Sequence, residues 1–214
     1  MASRNINDLW NLQLFIIRKE RGGFISPQQG CTALDAAQME KFNEDFKFYQ
    51  INQQIVDALS PFKTRYQFTS ASDGNVTNPS DYQHLLGSVF TVSGSTVNPV
   101  HFVNEDELPN ALISQLRPVT LTKPIAIDSA EGFQLYPQSQ QTGFFTYLRR
   151  PAIPVLGYTQ VGRDITYDPN TSTQLEYYDV YLDNIVARSM KYLGINLDEQ
   201  AVQQFAQLQQ QQTN

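Results

Sequence analysis

The apolar positions of this chain follow a helical rhythm at both ends and a strand rhythm between them. From Asn7 to Lys19, Leu9, Trp10, Leu12, Leu14, Phe15, Ile16 and Ile17 leave almost no polar face. Such a helix is expected to be deeply buried or packed against another subunit, with Asn7 or Asp8 as its N-cap. Gly22-Gly23 breaks it, and Ser26-Pro27-Gln28-Gln29 has the form of an N-cap, a proline at the first helical position and a capping-box glutamine. Thr32 to Tyr49 then reads as an amphipathic helix. Ala36, Met39, Phe42, Phe46 and Tyr49 recur at three- and four-residue spacing, with Glu40, Lys41, Glu44 and Lys47 opposite. A shorter helix, Asn52 to Leu59, stops at Ser60-Pro61.

Near Phe62 the period changes. Ser70 to Ser80 is turn chemistry, and Gly87 to Val92, Ser93-Gly94-Ser95 and Val97 to Val103 have the spacing of a hairpin. Asn104-Glu105-Asp106-Glu107 caps a helix expected to reach about Leu116, its acidic residues at the positive end. Lys123 to Ile127, Phe133 to Pro137 and Thr142 to Leu148 read as successive strands, with Pro118, Pro124, Pro137, Pro151 and Pro154 in the connections. Gly162 to Gln174 reads as a turn-rich loop. Leu175 to Leu193 follows as a helix, with Tyr178, Tyr181, Leu182, Ile185, Val186 and Leu193 on its apolar side and Gly194 as its C′ residue. A last helix capped by Asn196 or Asp198 carries Ala201, Val202, Phe205 and Leu208 and runs into Gln209–Gln212. The fold class is therefore α+β: a helical segment over 1–64, a small antiparallel β core over 65–174 with one helix near 104–116, and a helical segment over 175–214 with a Gln-rich tail.

Charge narrows the function classes. The formal net charge is −6, and no lysine or arginine lies between Arg65 and Arg117, which argues against tight nucleic-acid binding by this chain alone. Cys31 is the only cysteine, so no internal disulfide forms, and the chain fits assembly in a reducing cytoplasm. Met1-Ala-Ser-Arg-Asn lacks the apolar region of a cleavable signal, and no apolar run is long enough to span a membrane.

Candidate chemistry is sparse. His84 and His101 sit on the two arms of the expected hairpin, but two histidines without nearby cysteines or spaced carboxylates fall short of a zinc site. Cys31 lies near a helix start, where a buried thiol is the more ordinary reading than a nucleophile. Asp179 and Asp183 share a helix face at i, i+4, as a solvated or subunit-facing edge. Arg149-Arg150 is the densest basic spot. No phosphate loop, dinucleotide fingerprint or nucleophile elbow is present, so neither enzyme chemistry nor a cofactor is expected.

Several runs carry a family likeness: Asp81-Tyr82-Gln83-His84-Leu85, Asn104 to Leu108, Lys123-Pro124-Ile125, Leu135-Tyr136-Pro137 and Tyr147 to Pro151. The ending Leu175-Glu176-Tyr177-Tyr178, Tyr192 to Leu197 and Gln204-Phe205-Ala206 extends it. In this order the chain resembles structural proteins of tailed phages of Bacteroidetes, the crAss-like phages included. The resemblance implies a virion protein of the neck, a homo-oligomeric ring (a dodecamer) joining the portal protein to adjacent ring or tail proteins. Genomic DNA would pass through a lumen whose negative charge does not hold it. Leu9, Trp10, Phe15, Ile16, Arg149, Arg150, Phe205 and Leu208 are the expected subunit or portal contacts. Two other classes fit the same residues. One is a tail or capsid accessory protein, such as a fibre attachment point. The other is an enzyme with a dispersed site, for example His84 with Asp128 or Glu131.

Overall fold

The computed structural model describes residues 4–21, 23–49, 53–161 and 164–194, and its fold is α+β with helices near both chain ends. The residues form two compact units. Phe62–Arg150 is one; the described residues up to Pro61 and from Pro151 onward make the other. The two helical ends of the linear pattern thus belong to a single unit, and so do the described residues of 151–174, which the pattern groups with the β core.

In the helical unit, α1 (Ile6–Arg21) starts at Asn5, not at Asn7 or Asp8. The Asn5 Oδ1 accepts from the Asp8 N–H at 3.0 Å and Asp8 Oδ2 accepts from the Asn5 N–H at 3.0 Å, a reciprocal cap. The capping box before α2 (Pro27–Lys47) forms as the sequence requires: Gln29 N–H donates to Ser26 Oγ at 3.2 Å and Ser26 N–H to Gln29 Oε1 at 3.0 Å. Gly30 of α2 faces α1 closely. A Cβ there would lie 2.8 Å from Gln13 Oε1 and 2.9 Å from the Trp10 ring, so the crossing depends on glycine. The short α3 (Gln53–Ala58) ends before Pro61.

The buried face of α2 is rotated from the expected one. Ala33, Leu34, Ala37, Gln38, Lys41, Phe42 and Asp45 point inward, while Ala36, Met39 and Phe46 are only half-buried. Lys41 is therefore not on the solvent side. The face is set by the C-terminal helix α5 (Asp179–Tyr192), whose Leu182, Ile185, Val186 and Met190 are fully buried and which is the main partner of α2.

The α5 helix starts four residues later than expected, because Glu176 and Tyr177 are held outside it by contacts of their own. Glu176 accepts the Ala152 N–H at 2.9 Å and Tyr177 is buried. Gly194, at φ +76°, ends it as the sequence requires. Within the expected loop over 162–174 lies instead a strand, β10 (Asp164–Tyr167), which pairs antiparallel with the preceding β9 (Tyr158–Val161), both numbered after the strands of the other unit. Its β-branched and aromatic residues favour the ladder over open loop. The last predicted helix, with Phe205, Leu208 and Gln209–Gln212, lies outside the described residues.

The β unit stacks two four-stranded sheets. One orders β1 (Lys63–Thr69), β8 (Thr142–Arg149), β3 (Tyr82–Ser93) and β4 (Thr96–Pro99). The other orders β2 (Asn75–Thr77), β7 (Gly132–Tyr136), β6 (Ile125–Ser129) and β5 (His101–Phe102). Alternate residues from both sheets meet in one core of Phe68, Val76, Val89, Val100, Ala126, Phe133, Leu135, Phe145 and Tyr147. Phe145 is its centre. Its ring contacts Tyr66, Phe133 and Tyr82 edge-on at 5.5, 5.8 and 6.3 Å. The expected turn at Ser93-Gly94-Ser95 is present with Gly94 at φ +62° and no non-glycine residue at positive φ, a two-residue type II′ connection between Ser93 and Thr96.

Two expectations change in this unit. The arm read as Val97 to Val103 divides at Val100: its N–H donates to Val89 in one sheet, while His101 and Val103 donate to Pro124 and Ala126 in the other. The pairing of β5 with β6 is parallel. The helix expected over 104–116 is only α4, Leu108–Ile113, with no buried residue. Without a core to pack on, so short a helix does not extend. Phe145→Ala should cost about 3–5 kcal/mol by emptying the centre of the β core. Chemical unfolding followed by near-ultraviolet circular dichroism will measure it.

Candidate functional site

The helical unit carries its densest buried polar group between α2 and α5. Lys41 Nζ lies 2.9 Å from Asp45 Oδ2, with both side chains about one-tenth exposed (10% and 11%). The ammonium also lies 4.8 Å from the Tyr181 ring centroid and 5.7 Å from that of Tyr177, so two aromatic faces replace the water that burial removed. Burial and the neighbouring Asp45 carboxylate push the Tyr177 phenol far above its ordinary range. At the rim, Arg188 reaches Glu44 at 2.6 Å and Glu40 at 3.7 Å, and the Tyr192 hydroxyl donates to Glu40 at 3.2 Å. The arrangement joins helices from opposite ends of the chain. It holds a buried charge in place.

The other candidates fall apart as reactive groups. His84 is on β3 and His101 on β5, so the two histidines belong to different sheets, not to facing arms of one hairpin. Burial lowers the pKa of His84 below 6.5. Cys31 is buried, its Sγ accepts the Leu156 N–H at 3.3 Å, and burial raises its pKa, which makes the thiolate scarcer. Tyr147 is raised to about 12, first by burial and then by its 2.8 Å hydrogen bond to Asp81. Asp183 pairs with Arg4, and Asp179 lies in the first turn of α5. Among the described residues no group of three or more His, Cys, Asp or Glu side chains is placed to hold a metal ion. No described helix is long and apolar enough to cross a membrane.

The predicted contact residues separate. Leu9 (1% exposed) and Trp10 (6%) face the core of their own unit and are not available to a partner. Phe15, on the opposite side of α1, is 57% exposed, and Ile16 is half-buried. The one-sided burial of α1 corrects the reading of a helix apolar all round: its inner face is satisfied within the chain and its outer face is not. Phe15 borders a cleft of about 320 Å³ shared with Arg18, Phe24 and Ile165, and Phe24 is itself 62% exposed. In the β unit Arg149 lies over the Phe62 ring at 5.9 Å, and the Arg150 N–H donates to Asp81 at 2.7 Å. The basic pair thus sits at the C-terminal end of β8, beside the start of β3.

No protein-family model matches the chain, and no curated protein matches it. One part of the surface lies where the sequence predicts a longer helix. Between β5 and β6 the chain makes an excursion along a groove of about 940 Å³ bordered by Phe102, Ala111, Val119 and Ile125. The acidic cap Asn104–Glu107 predicts a helix here reaching about Leu116, but a cap does not say whether the face behind it finds a core.

Two measurements check the buried groups. Lys41→Met should destabilise the protein by about 3–5 kcal/mol by leaving Asp45 buried without its cation, and adding Asp45→Leu should recover most of the loss. Unfolding in guanidinium of the two variants will show it. For His84, a folded pKa below the unfolded value means stability is complete above pH 6.5 and is lost as pH falls through that range. The thermal midpoint should therefore drop between pH 7 and pH 5, and His84→Gln should reduce the drop.

Proposed function

We propose that this chain is a non-catalytic virion structural protein that forms a ring in the neck of a tailed phage, between the portal and the tail. The observation that carries the reading is the exposure of Phe15 on the outer face of α1 (57%) and of Phe24 in the segment after that helix (62%), both beside one cleft. Large aromatic side chains left in water next to a concavity are a usual mark of a protein contact. They sit on a unit whose own core is already complete. The sequence likeness to neck proteins supplies the kind of assembly, and the net charge of −6 suits a wall past which DNA slides. In this reading the chain works by repeated side-by-side contact, and its partners are further copies of itself, the portal and the next ring or tail protein.

Image reconstruction of intact particles, with this chain placed in the map, tests the proposal. The expected result is a closed ring on the portal axis with Phe15 and Phe24 covered. Phe15→Asp combined with Phe24→Asp should leave thermal unfolding of the free chain within about 1 kcal/mol of the parent, as for exposed sites, and should abolish incorporation into particles. One copy per particle, or a position on the capsid lattice away from the axis, would overturn the reading.

A further inference from the structure

We propose that residues 104–123 form an arm that docks on the outer face of β1 and β8 in the next copy of this chain, head to tail. The inference rests on the ring reading above and names the surfaces that would build the ring.

The arm cannot be explained by its own packing. From His101 to Lys123 no residue is buried, although the stretch includes Leu112 (45% exposed), Ile113 (78%) and Leu116 (95%). Fixing a backbone costs roughly 1–2 kcal/mol per residue, and burial of apolar side chains is the usual return. A six-residue helix without a buried face is marginal by itself. Ordering with exposed aliphatic side chains at the apex is the property of a segment whose cover is another molecule.

The chemistry of that cover follows from the arm's charge. Its first turn is Glu105-Asp106-Glu107, all exposed, directly before the apolar residues. The receiving surface should be partly apolar with a cationic rim, and the β unit has such a surface on its far edge. There β1 presents Lys63 and Arg65, both exposed. The Arg65 guanidinium stacks 3.8 Å from the Phe144 ring, and Phe144 stacks on Phe90 at 5.3 Å. These rings face away from the Phe145 core, because successive strand residues alternate sides, and both are half-buried.

Among the described residues no ion pair joins Glu105, Asp106 or Glu107 to Lys63 or Arg65 within one copy, although Leu121 at the arm's return lines one cavity with Thr69 of β1 and Thr142 of β8. With the sheet order β1-β8-β3-β4, β1 lies at the edge opposite β4, three strand spacings or about 14 Å away. The arm leaves from the β4–β5 side. Two complementary surfaces on opposite edges of one body produce a heterologous contact, and repetition of such a contact about an axis closes a ring. A nucleic acid is the wrong occupant for an acid-headed arm.

Charge reversal tests the pairing. Asp106→Lys and Arg65→Glu should each reduce assembly of the full chain on the order of tenfold or more, since each sets like charges together. The double variant should restore it, and all three should unfold at the parent's temperature. Native mass spectrometry of the full chain and the copy number in particles are the readouts. In intact particles a zero-length carbodiimide should couple Lys63 of one copy to Glu105, Asp106 or Glu107 of another. If the chain sits in a ring on the portal axis but the reversals change nothing and that cross-link is absent, the arm contact falls and the ring reading stands. Cross-linking of the arm carboxylates to the portal or another protein in place of Lys63 also overturns it. Rescue by the double variant together with the cross-link, in particles where the chain lies off the axis, supports the arm contact and removes the ring.

Discussion

The packing of α2 against α5 is the contact on which the rest of the architecture depends. It brings together segments that are more than a hundred residues apart in sequence, and it does so around a buried charge. Lys41 and Asp45 are one turn apart on α2, and the aromatic faces of Tyr177 and Tyr181 close over the ammonium. Neither partner can be removed alone without leaving an unpaired charge in a low-dielectric site. Gln13 of α1 adds a neutral counterpart by donating to Ser189 of α5 at 2.8 Å, with both residues fully buried. The helical unit is therefore specified by polar contacts that tolerate one register, with the aliphatic core supplying bulk.

The β unit has the complementary topology. Its first and last strands, β1 and β8, pair along their whole length from Lys63 with Leu148 to Thr69 with Thr142. The chain thus enters and leaves the unit at neighbouring positions, which is what allows a folded unit to interrupt another in sequence without straining either. Inside it, one switch at Val100 carries the chain from the first sheet to the second, and the aromatic cluster about Phe145 joins the two. The inserted unit also bears the exposed arm, so the most apolar uncovered segment is mounted on a rigid sandwich.

These features bear on function through what is left unsatisfied. Phe15 and Phe24 on one unit, and Ile113 and Leu116 on the other, remain in water after each core is complete. The titratable groups are placed the opposite way. Cys31, His84, Tyr147 and Tyr177 are held toward their uncharged forms by burial, which suits structural packing more than proton transfer.

Local signals were legible in the amino-acid sequence because they depend on near neighbours. The Ser26 capping box, the Gly94 turn, the stop at Gly194 and the strand at Thr142 to Leu148 each follow from residues within a few positions of one another. The α+β class follows from them by summing periods. The face of a helix does not: Lys41 looks solvent-facing by charge, and only two tyrosines arriving from the far end of the chain, closing over the Lys41–Asp45 pair, make its burial stable. Likewise Leu9 and Phe15 carry equal apolar signal on α1, yet α2 and α5 cover the first and leave the second exposed. His84 and His101 read as facing partners until the crossing at Val100 sends them to different sheets. In each case the sequence determined the element and the tertiary contact determined its role, because burial and pairing depend on residues brought close by folding and not on those adjacent in the chain.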